Sequence, residues 1–94
     1  MMELPTVVRT RVAGKMWNVR FCKRRELGNG DAGHCKLSSR VVRVSRTLKG
    51  KALLEAVIHE LLHAEHWQID EYYVQETAAD IARLLWRLGY RRTE

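Results

Sequence analysis

The sequence predicts an α+β fold, with a small antiparallel or mixed sheet of about three to four strands followed by two packed helices. Two observations predict it. The first half carries period-two alternation broken by turn residues, and the second half carries apolar residues three and four apart. A third observation bounds it. At 94 residues, the chain is expected to form a single domain, 1–94.

The strands come first. Residues 6–12 are rich in valine and arginine, and Gly14-Lys15 reads as a turn. Residues 16–23 alternate: Trp17, Val19 and Phe21 point one way, and Asn18, Arg20 and Cys22 the other. Together the two segments predict a hairpin. Residues 27–33, with Gly28, Asn29, Gly30, Asp31 and Gly33, read as a loop. Two shorter extended pieces follow at 34–37 and 40–45. In the second, Val42 and Val44 share a face opposite Arg43, and the flanking charge suits a sheet edge.

The helices follow. Lys49-Gly50 is a break, and Leu54, Val57, Ile58, Leu61 and Leu62 form a helical stripe within 51–67. Asp70 is expected to cap a second helix that runs to about Leu88, with Gly89 at its C-terminal stop.

Composition narrows the function classes. Hydrophobic residues are 46% and charged residues 30%, which reads as a soluble globular chain. The sequence shows neither a charged-then-apolar leader nor an apolar run of about 18 residues, so a cytoplasmic protein with no membrane partner is expected. Cys22 and Cys35 form no CxxC pair and are expected to be free thiols. The net charge of +6 favours anionic partners, but lysines and arginines are scattered from Arg9 to Arg92. A weak association with nucleic acid through a basic surface is the expectation.

The informative segment is His59-Glu60-Leu61-Leu62-His63. Residues four apart stack on one helix face, so His59 and His63 can offer imidazole nitrogens to one zinc ion at about 2.0–2.1 Å. Glu60 sits beside them, placed to reach a water rather than the metal. This spacing is a metallopeptidase signature with a mechanical reason behind it. A catalytic zinc needs a third protein ligand and an open position. His66, Glu65, Asp70, Glu71, Glu76 and Asp80 are the candidates. Glu76 ranks first. Glu76 and Asp80 share a helix face, and Ala78, Ala79 and Ala82 would let that helix approach closely. Asp80 could then accept the second ring N–H of a ligating histidine.

At these residues the chain resembles the gluzincin clan of metallopeptidases, in which His-Glu-x-x-His is followed by a helix bearing Glu-x-x-x-Asp, as in Glu76-Thr77-Ala78-Ala79-Asp80. It also resembles short phage and bacterial metallopeptidases related to the SprT-like proteins, over residues 42–90. The resemblance implies a zincin-like fold, one zinc per chain on His59, His63 and Glu76, Glu60 as general base and Asp80 behind the ligands. It implies too that the strand at 40–45 edges the cleft, where a peptide or protein substrate could add to the sheet. The chain departs from the large members in its short stretch between His63 and Glu76. It also lacks a downstream domain to supply a histidine or tyrosine in the transition state. Tyr72, Tyr73, His66 and Arg43 are the local candidates for that role.

Zinc-dependent peptide hydrolysis is therefore the expected activity, with Glu60 taking a proton from the attacking water and passing it to the leaving amine. The alternative is a catalytically weak or degenerate metal-binding module that holds nucleic acid or a protein partner on its basic surface.

Overall fold

The computed structural model describes residues 4–27 and 32–92. Four strands precede two helices: β1 (Val7–Val12), β2 (Lys15–Cys22), β3 (Gly33–Lys36), β4 (Val41–Ser45), α1 (Gly50–Glu65) and α2 (Glu71–Arg87). The α+β order read from the sequence holds, with each boundary within two residues of expectation. Of the glycine-rich loop, residues 28–31 lie outside the described part.

The sheet order is β1-β2-β4-β3 and the sheet is mixed. β1 pairs antiparallel with β2, β2 parallel with β4, and β3 antiparallel with β4. This corrects one expectation. The strand at 41–45 lies in the interior of the sheet, and β1 and β3 are the edges. The reason lies in the buried pattern: Val42 and Val44 are both fully buried, which suits a strand with neighbours on both sides.

The alternation in β2 works as its spacing requires. Trp17, Val19 and Phe21 are buried and join Val12, Val42 and Val44 in a core closed by Leu53 and Ala64 of α1. Cys35 faces that core, whereas Cys22 has the opposite parity, paired with Ser45. The two free thiols thus lie on opposite sides of the sheet and cannot be bridged.

α1 lies across the sheet, and α2 packs on α1 in antiparallel fashion. Being covered on two sides, α1 is apolar around most of its circumference, while α2 buries one stripe, Val74, Ala78 and Ala82. Asp70 caps α2 as expected, its Oδ2 accepting from the Tyr73 N–H at 3.2 Å. Gly89 follows the helix with φ +94°, the left-handed stop that its position predicts. No helix among the described residues is long and apolar enough to cross a membrane.

The β1–β2 turn falls one residue earlier than expected, at Ala13-Gly14, and both residues have positive φ, 51° and 78°. Two left-handed residues make the turn whose twist matches a hairpin, and asparagine suits the first position far better than alanine. Ala13→Asn should therefore stabilise the fold by about 0.5–1 kcal/mol, read as a higher urea midpoint with an unchanged slope.

Candidate metal centre

The site forms where the end of α1 meets the start of α2. α1 closes at Glu65 and α2 opens at Glu71, with a turn held by Ile69 N–H donating to the His66 carbonyl at 2.9 Å. So short a link forces the first turn of α2 to lie beside the last turns of α1, which carry His59 and His63. Glu71 stands in the first turn of α2, where the helix dipole favours an acid, and His63 in the last turn of α1.

Glu71 bridges the two imidazoles. Its Oε1 lies 2.9 Å from His59 Nε2 and its Oε2 lies 2.8 Å from His63 Nε2. The two rings are tilted by 58° with centroids 5.0 Å apart, so their Nε2 atoms converge on one carboxylate. His59, His63 and Glu71 form the group of potential metal ligands among the described residues, with one donor atom from each within 4.8 Å of the others. Around a tetrahedral zinc with bonds of roughly 2.0–2.1 Å, donor atoms stand about 3.3 Å apart. The two imidazole–Glu71 contacts, at 2.9 and 2.8 Å, need open by only a few tenths of an ångström to reach that spacing. Glu71, with its side chain 57% exposed, is the one free to yield.

The expected third ligand at Glu76 is not brought to the histidines. Glu76 is exposed and accepts a long hydrogen bond from the Tyr72 hydroxyl at 3.4 Å. Asp80, expected to support a ligating ring, instead pairs with Arg83 at 3.0 Å. The cause is helical phase. Counting about 100° per residue, Glu71 lies roughly 20° from Ala78, and Glu76 roughly 160°. The close approach expected of Ala78 and Ala82 is real, but it turns the Glu-x-x-x-Asp face to solvent. Extending the stripe 82-78-74 back by three residues gives 71, and that was the signal in the sequence for Glu71.

Glu60 stands where its position in the motif placed it, beside the histidines, and is buried, with 7% of its surface exposed. It faces the edge strand β3. A Cβ built on Gly33 would lie 2.5 Å from the Arg43 carbonyl oxygen of β4 and 3.1 Å from Glu60 Cγ, so only glycine fits between the neighbouring strand and the helix without a shift of backbone. Cys35, two residues along, shares the environment. Burial first, and then the Glu60 carboxylate, push its thiol pKa up to about 11. The histidines, Glu60, Glu71, Gly33 and Trp67 line an open cleft of about 350 Å³. A larger, more apolar groove of about 580 Å³ lies between the start of α1 and the end of α2, but the converging donors are all in the first.

Of the candidates for stabilising an oxyanion, Arg43 is disqualified by parity. It pairs with His34 across the strands, donating to its Nε2 at 3.0 Å, on the sheet face away from α1. Tyr72 and Tyr73 are exposed on α2. No family model matches the chain, and comparison with curated proteins and with solved structures likewise finds no match.

Two outcomes follow from this packing. Gly33→Ala should cost about 1–3 kcal/mol in chemical unfolding, because backbone rather than a flexible side chain must give way. Cys35 should stay protonated and slow to alkylate at pH 8, and Glu60→Gln should speed its alkylation by removing one of the two causes of the raised pKa, as followed by mass spectrometry of labelled peptides.

Proposed function

We propose that this chain is a minimal zinc-dependent peptidase, with His59, His63 and Glu71 as the ligands and Glu60 as the group that moves the proton. One observation carries the reading: two imidazole nitrogens and both oxygens of one carboxylate converge at 2.8–2.9 Å, with a buried carboxylate beside them in an open cleft. Two nitrogens and one oxygen suit zinc, and leave a fourth position for water or substrate.

A divalent ion held there would supply Lewis acidity to a scissile carbonyl and to the attacking water. The chain's own groups do the rest. Glu60 accepts the proton from that water and returns it to the leaving amine. His59 and His63 turn their Nε2 atoms to the ion, so each must carry its proton on Nδ1 when loaded. Binding would therefore require each ring proton to leave the Nε2 that faces Glu71 in the free site and move to Nδ1. β3 is an edge strand and lines the cleft, so an extended peptide can add to it by main-chain hydrogen bonds and lie across the site.

Zinc should bind at one equivalent per chain in calorimetry. Glu71→Ala should weaken binding at least tenfold and Glu76→Ala should leave it unchanged; the reverse order would remove Glu71 from the site. Glu60→Gln should keep zinc and lower peptide hydrolysis by about 10²–10⁴-fold on a quenched-fluorescence peptide library. Full activity in that variant would rule out the mechanism.

A further inference from the structure

The sheet is covered by helices on one face only. Strand parity decides what the other face carries. Val8, Thr10, Val12, Trp17, Val19 and Phe21 share the helix side, which sends Arg9, Arg11 and Arg20 to the opposite side. Val42, Val44 and Cys35 likewise face the helices, which sends Arg43, His34 and Lys36 outward. The charge that looks scattered along the chain is gathered in space.

Two further facts make this face unusual. No strand contains an aspartate or glutamate, and the ion pairs among the described residues involve only His59, His63 and Arg83. Among the described residues, no ion pair reaches these strand arginines. Arg20 also stands directly opposite Arg43. Like charges placed opposite one another in a sheet are destabilising, so this pair costs the fold stability that an external anion would restore. Among the described residues, Glu55, Glu60 and Glu65 lie on α1 and Glu71, Glu76 and Asp80 on α2.

We infer that this open face binds the phosphate backbone of a nucleic-acid duplex. Four strands at about 4.8 Å spacing place β1 and β3 roughly 14 Å apart. That is close to the width of a B-form major groove, about 12 Å, so Arg9 and Arg11 at one edge and Lys36 at the other can reach phosphates on both sides. Arginine donates in a planar fork matched to phosphate oxygens. The face carries no aromatic residue: Trp17 is in the core, while Trp67 and Trp86 are beyond the sheet. Without a stacking platform it does not suit single strands, and its contacts carry no base readout. Binding is sequence-independent and strongly salt-dependent. It lies across the sheet from the metal centre and does not rest on the peptidase reading.

Fluorescence anisotropy with a labelled, mixed-sequence 20-base-pair DNA duplex, in about 50–200 mM KCl, tests this. Arg9→Gln/Arg11→Gln should bind at least tenfold more weakly and flatten the slope of log K against log salt by about 2. Lys51→Gln/Arg87→Gln, equal in net charge but on the helices, should stay within twofold of the parent. Glu71→Ala should leave duplex binding intact while the metal is lost. Circular-dichroism melts confirm that each variant is folded. Equal losses in the two double variants would reduce the effect to net charge and overturn the inference. So would tighter binding of the matching single strand, or binding to phosphatidylserine vesicles with none to duplex.

Discussion

The rotation of α2 about its own axis is the constraint on which the site depends. Val74, Ala78 and Ala82 are fully buried against the rest of the molecule. Two of the three are small, so the helices approach closely and the phase of the contact is fixed. Once that stripe is seated, the residue one turn before it, Glu71, has to enter the cleft at the end of α1. The pair of histidines supplies the other half of the contact, and the short link between the helices sets the level at which they meet. The helix dipole favours the acid, which sits at an N-terminus.

The same packing accounts for the position of Glu60. α1 is enclosed between the sheet and α2, so a residue next to His59 on that helix is turned toward β3 and away from water. A carboxylate in such a place is costly unless its environment accommodates it. Gly33 removes the side chain that would otherwise occupy its space, and Cys35 answers with a thiol that stays protonated. The cleft therefore holds two kinds of carboxylate: one exposed and in contact with imidazoles, the other buried beside Gly33 of β3. Two identical functional groups thus sit in different environments.

Much of this was legible in the sequence, and what was not has identifiable causes. The alternation of Trp17, Val19 and Phe21 gave β2 and its buried face. Asp70 and Gly89 gave the two ends of α2. His59, Glu60 and His63 followed from local spacing, because a single helix determines their relation. Glu76 was misplaced because its claim rested on a relation between helices. Its four-residue spacing to Asp80 puts both on one face, but spacing does not say which face is turned inward. The buried alanines do, and they point to Glu71. The strand at 41–45 was set at the edge on the strength of Arg43. Its two valines, each without exposed surface, outweigh one arginine that has an open face to point into. The basic surface was hidden for a related reason, because strand pairing, rather than sequence position, collects Arg9, Arg20 and Arg43.

β3 has only four residues, follows the glycine-rich stretch, and is hydrogen-bonded to a neighbouring strand on one side alone. It is the part of the sheet that can peel away at least cost, since short edge segments open far more readily than a whole domain unfolds. Because this strand also roofs Glu60, such fraying would admit solvent to the buried carboxylate while the imidazoles stay anchored on their helix. Breathing of one strand thus couples the hydration of Glu60 to whatever occupies the strand's free side, and a chain docked there would hold the roof shut.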